Sequence, residues 1–189
     1  MNRRDALARV SWILGGTIVG SGLFLEGCKS APEKTKDFFD AEVIALLNEI
    51  GETILPQTST PGAKEAKVGE FMAVMVKDCY TKKDQGLFKA GLRRIEKRCK
   101  DETGKQFMAL SPDERTAFIV KMDNLQKGYM ENKRPEQPSH YFRMIKELTL
   151  LGFFTSEVGS TKAQRYIETP GSYDGNVPYK KGDKAWADA

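Results

Sequence analysis

The amino-acid sequence predicts an all-α fold, a single helical bundle-like domain of about five helices with an irregular C-terminal tail. Two observations carry this. Between positions 39 and 154 apolar residues recur at three- and four-residue spacing, and no segment shows the strict two-residue alternation of a half-buried strand. Length agrees, because removing residues 1–27 from the 189 leaves 162, enough for one domain with a real core.

The first helix is predicted over residues 40–55. Phe39, Val43, Leu46, Leu47, Ile50 and Ile54 share its face, Asp40 can cap its start, and Pro56 ends it. Residues 57–63 (Gln-Thr-Ser-Thr-Pro-Gly-Ala) are turn chemistry. A second helix is expected over 66–80, with Val68, Phe71, Met72, Met75 and Cys79 as its apolar stripe. The third, over 85–102, presents Phe88, Leu92, Ile95 and Cys99, and Gly104 is a natural stop.

Ser111-Pro-Asp-Glu114 has the form of a capping box with proline in the first helical position. It opens a fourth helix carrying Phe118, Ile119, Met122 and Leu125, followed by a polar loop over 126–139. A fifth helix over 140–154 carries Tyr141, Ile145, Leu148 and Leu151. Past Ser156 a short helix over 161–167 gives way to turns every few residues with isolated aromatics between them. Such a tail is expected to wrap over a surface, either its own bundle or a partner. Tyr166, Pro170, Gly171, Tyr173 and Trp186 are its candidate partner-interface residues.

The N-terminus reads differently. Arg3 and Arg4 precede an apolar run over 12–25, which describes a twin-arginine export signal. Fourteen residues are too few for a bilayer-spanning helix, which needs about 20. Gly15, Gly16, Gly20 and Gly22 lower the run's helix propensity further. Leu25-Glu-Gly-Cys28 is similar to a lipoprotein cleavage box, so Cys28 is the candidate lipidation site, with Glu26 an unusual residue inside it. The expected organisation is a signal over 1–27, a polar tether over 28–37 and the helical domain over 38–189, in an exported, periplasmic and membrane-anchored protein.

Chemistry is sparse. The chain has 30 basic and 26 acidic residues; without Arg3, Arg4, Arg9, Asp5 and Glu26 the mature part keeps 27 against 24, with signs interleaved. That balance suggests no nucleic-acid footprint, and basic runs such as 97–100 read as solvated helix faces. His140 has no Cys/His neighbours at metal-ligand spacing and no serine or cysteine partner, so a role near a helix start is expected. Gly-x-Gly-x-x-Gly is absent, the acids form no catalytic pattern, and the methionines read as core fillers. Cys79 and Cys99 are an even pair once Cys28 is lipidated. In an antiparallel hairpin, however, they lie about 18 Å out of step at ~1.5 Å per residue, so two buried thiols are expected. No catalytic, metal or cofactor residue is assigned to this chain.

Several stretches together resemble one family. Phe38-Phe-Asp-Ala-Glu, Glu49-Ile-Gly-Glu-Thr-Ile-Leu-Pro56 and Thr60-Pro-Gly-Ala63 are similar to the start of the small (gamma) subunit of membrane-bound gluconate 2-dehydrogenase. Gly91-Leu92, Phe107-x-x-Leu-Ser-Pro-Asp-Glu114, Glu147-Leu-Thr-Leu-Leu-Gly-Phe-Phe154 and Tyr166-Ile-Glu-Thr-Pro-Gly-Ser-Tyr-Asp-Gly175 continue the resemblance in order. It implies a non-catalytic subunit beside a flavin-dependent large subunit of the glucose-methanol-choline type, often with a cytochrome c subunit. FAD and haem c would then lie in the partners, and the signal on this chain would carry the folded pair. Cys28 departs from that pattern and implies a direct lipid anchor, which makes a cytochrome partner dispensable. A stand-alone helical envelope lipoprotein that binds a partner is the alternative reading.

Overall fold

The computed structural model describes residues 38–169, 171–172 and 174–187. Within them five α-helices follow one another: α1 (Ala41–Ile54), α2 (Val68–Cys79), α3 (Lys82–Thr103), α4 (Pro112–Asn132) and α5 (Tyr141–Phe154). A 3-10 turn (Phe107–Ala109) precedes α4, and a π-helical turn (Gly159–Ala163) follows α5. Among the described residues there is no sheet, only one isolated parallel bridge between Arg165 and Trp186.

Helix α5 is the hub. It has more buried residues than any other helix, Tyr141, Phe142, Met144, Ile145, Leu148, Thr149, Gly152 and Phe153, and it packs against all four others. Close approach is bought with glycine where it counts: a Cβ on Gly91 of α3 would sit 2.5 Å from that of Tyr141. The core joins Leu47 and Ile50 of α1, Met72 and Val76 of α2, Phe88 and Ile95 of α3, and Phe118 and Met122 of α4. Each fully buried side chain of this size removes enough apolar surface to contribute roughly 1.5–3 kcal/mol.

Helix ends follow local chemistry in most places. Ser111 Oγ accepts from Glu114 N while Glu114 accepts from Ser111 N, so the capping box forms with Pro112 at the first position. Gly104 closes α3 in the left-handed region at φ 74°, where a side chain would be strained. Helix α2 departs from this. Lys67 precedes it with φ 53° and offers no side-chain cap. Asn48 of α1 does the work instead, its Oδ1 accepting from Gly69 N at 2.8 Å and its Nδ2 donating to Glu70 at 2.8 Å.

Several expectations change. Asp40 sits at the start of α1 but its side chain accepts no backbone N–H. Helix α3 begins three residues before position 85, because Thr81 caps it through Asp84 N. Helix α4 does not stop at Leu125, which is exposed; it runs through the expected loop to Asn132 with Gln126 turned inward. On α2 the buried stripe runs through Val76, and Cys79 at the last residue is exposed. Of the two described cysteines Cys99 alone is buried, and the two are unbridged. Leu151 faces solvent, with Gly152 and Phe153 inside in its place. The expected helix over 161–167 is instead the π-helical turn ending at Ala163.

Candidate partner interface

His140 is built into the start of α5. Its Nδ1 accepts from Phe142 N at 3.2 Å, and its ring lies 4.2 Å from Tyr141 and 5.3 Å from Tyr129. Burial first, then the Arg94 charge, pushes its pKa below the ordinary imidazole value, so the ring stays neutral and acts as a cap. A capping imidazole with its acceptor nitrogen occupied is not poised as a general base.

Several carboxylates are likewise committed to structure. Glu49 of α1 pairs with Arg115 of α4 and, at 2.7 Å, with Lys64. Arg115 continues to Phe107 O and Met108 O, which ties α4 to the 3-10 turn. Glu52 accepts from Gln57 N and Lys64 N, closing the loop after α1. Asp123 holds Lys127 and Lys146, and Glu102 holds Arg98 and Lys121 across a shallow groove beside Asn124 and Leu125.

Two groups stand apart. Burial raises the Glu96 carboxyl, although the Phe107 backbone hydrogen bond opposes it, and Glu96 Oε1 is buried with no partner. Burial also raises the Cys99 thiol, whose Sγ points 3.5 Å from Lys105 O, so it remains a protonated, unreactive thiol. Among the described residues no three His, Cys, Asp or Glu side chains converge to hold a metal ion, and no helix is long and apolar enough to cross a membrane.

The distinctive surface is the C-terminal arm. Its two ends are clamped: Arg165 N donates to Ala185 O at 2.8 Å, and Ala187 N donates back to Arg165 O at 2.7 Å. The Arg165 guanidinium lies over the Trp186 ring at 4.4 Å and donates to Lys184 O at 2.8 Å. Gln164 reaches Trp186 O, and the Lys184 ammonium reaches Lys162 O. The described chain between is held by its ends, and among its described residues Tyr166, Ile167, Val177 and Tyr179 are exposed.

Of the five expected interface residues, Tyr166 and Trp186 are both exposed and flank the clamp, with Trp186 43% accessible. Gly171 is exposed, while Pro170 and Tyr173 lie outside the described residues, as do Arg3, Arg4 and Cys28. Ile167, Val177 and Tyr179, the last 74% accessible, extend the same apolar loop. Arg165, Gln164 and Lys184 were not legible in the sequence, because a clamp closing 21 residues apart has no period. A second uncovered apolar surface lies at the end of α5, where Leu150, Leu151 and Phe154 are exposed. Both surfaces can exclude water against another chain, and neither carries a reactive group.

Comparison with known proteins bears on residues 41–171, which match the family described as gluconate 2-dehydrogenase subunit 3. The match spans all five helices and the first residues of the arm. No curated protein and no solved structure matches the chain.

Proposed function

Because this chain belongs to the gluconate 2-dehydrogenase subunit 3 family, we propose that it is the non-catalytic small subunit of an exported, membrane-associated, FAD-dependent sugar or sugar-acid dehydrogenase. The large subunit, of the glucose-methanol-choline type, binds FAD and oxidises the substrate. This chain supports that subunit's folding, carries it out of the cytoplasm through the Arg3-Arg4 signal, and holds it at the membrane through Cys28. A cytochrome c subunit with haem c completes the electron path where one is present.

The family match over residues 41–171 carries the reading. Two features of the surface support it. Glu49, Asp123 and His140 are engaged in pairing and capping within the bundle, roles that fit a subunit whose part is structural. Tyr166, Ile167, Val177, Tyr179 and Trp186 are exposed on the arm and supply the aromatic and apolar side chains in which the cores of protein interfaces are enriched.

Co-purification tests it. A tagged chain isolated from membranes should bring down a stoichiometric flavoprotein with the 450 nm absorbance of bound flavin, and a colourless monomer would sink the reading. Changing Arg3→Lys together with Arg4→Lys should strand both proteins in the cytoplasm; a flavoprotein that still reaches the periplasm would show that this chain is not its carrier.

A further inference from the structure

Helix α3 carries a charge pattern that neither the core nor the interface loop uses. Its sequence reads Lys-Lys-Asp-Gln-Gly-Leu-Phe-Lys-Ala-Gly-Leu-Arg-Arg-Ile-Glu-Lys-Arg-Cys-Lys-Asp-Glu-Thr. Gln85, Phe88, Gly91, Leu92, Ile95 and Cys99 face inward, and at ~100° per residue Lys82, Arg93, Lys97 and Lys100 share one exposed flank of the helix, with half-buried Lys89 at its inner edge. The stripe is about 27 Å long at ~1.5 Å per residue. None of these five side chains pairs within 4 Å of a described carboxylate, although nine ion pairs form elsewhere among the described residues.

The acids of the same helix are drawn off it. Asp84 accepts from Thr81, Glu102 is held by Arg98 and Lys121, and Glu96 has a buried oxygen, which leaves Asp101 at the far end. No large apolar side chain of α3 is exposed. A protein partner's footprint is enriched in aromatic residues and depleted in lysine, and this stripe is the reverse. A uniform row of lysine and arginine suits a fluid surface of negative charge that needs no shape match.

Position adds the second argument. The described chain enters the domain at Phe38, and the Lys89 ammonium lies 3.5 Å above that ring and 5.5 Å from Phe39. A lipid on Cys28 would therefore be ten residues of chain from the stripe, a reach of about 35 Å at most. We propose that Lys82, Arg93, Lys97 and Lys100 of α3 rest on the anionic phospholipid headgroups of the membrane to which the chain is tethered, a reading that builds on the tethered subunit described above. Lipid chain and basic stripe are then two signals for one surface, the pairing that makes peripheral attachment stable.

Vesicle sedimentation of the full chain carrying Cys28→Ser, and hence unacylated, tests the stripe directly. Binding to vesicles of phosphatidylcholine with one-third phosphatidylglycerol should fall roughly tenfold or more when Lys82, Arg93, Lys97 and Lys100 are changed to Glu. Reversing Lys127, Lys133, Lys180 and Lys181 instead should change it less than about twofold, and the stripe-dependent part should vanish in half-molar salt. The apolar run at 12–25 is common to both variants, so their difference reads the stripe alone. Equal losses from the two reversals would overturn the proposal, as would a stripe reversal that leaves vesicle binding intact and abolishes flavoprotein co-purification. Mass measurement of the wild-type chain tests the tether separately: an unacylated Cys28 with intact stripe-dependent binding would remove the tether and uphold the stripe.

Discussion

The helical body and the C-terminal arm are held by different means. Between Phe39 and Phe153 the chain buries large side chains against one another, and its polar groups serve that packing as caps and pairs. Beyond Gln164 large apolar side chains remain in water, and a few backbone hydrogen bonds with one cation–π stack give the arm its shape. Packing of the first kind is cooperative, since side chains from all five helices join one cluster. A clamp of the second kind can open without disturbing what lies beneath. The body thus serves as a scaffold, and the arm is the part that can adapt to what it meets.

The contrast can be broken or sharpened by substitution. Phe107→Ala empties a fully buried position between the 3-10 turn and Phe118, and should cost about 3–5 kcal/mol of unfolding free energy in a urea titration. A loss below about 1 kcal/mol would mean that the core is not one unit. Ser111→Ala removes the capping acceptor of α4 and should cost about 1 kcal/mol in the same titration.

His140 gives a pH dependence. Its folded pKa is depressed, so at neutral pH both folded and unfolded chains hold it neutral; below the ordinary imidazole range the unfolded chain takes up the proton first and stability falls. His140→Asn, which keeps a capping acceptor, should flatten that slope in thermal melts between pH 7 and 5. An unchanged slope would assign it to other groups.

The smallest global effect belongs to the arm. Trp186→Ala should change unfolding free energy by less than about 0.5 kcal/mol yet accelerate limited proteolysis after residue 165, because the stack it removes is solvent-exposed. A large loss of global stability would place the arm within the cooperative unit.

The same division explains how much could be read beforehand. Local and periodic signals were legible: the Ser111–Glu114 box, the Gly104 stop, the inward face of α3 and the family resemblance. Signals that depend on where neighbours end were not. Cys79 keeps the phase of the α2 stripe but is the last residue of its helix, past the packed face. Gly128 and the polar residues around it looked like a loop, but Gly128 meets nothing within 4 Å and is simply tolerated in an exposed turn of α4. In the interface region Tyr166 and Trp186 stood out as isolated aromatics, whereas Arg165, which joins the two ends, had no pattern to reveal it.

The bond from Asn48 to Gly69 has a consequence for the order of folding. Helix α2 is twelve residues long, too short to be stable alone, and it has no capping residue of its own. Its first turn is completed by an acceptor 21 residues upstream on α1. The second helix thus takes its starting point from the first, and its opening turn is completed only once α1 is in place beside it.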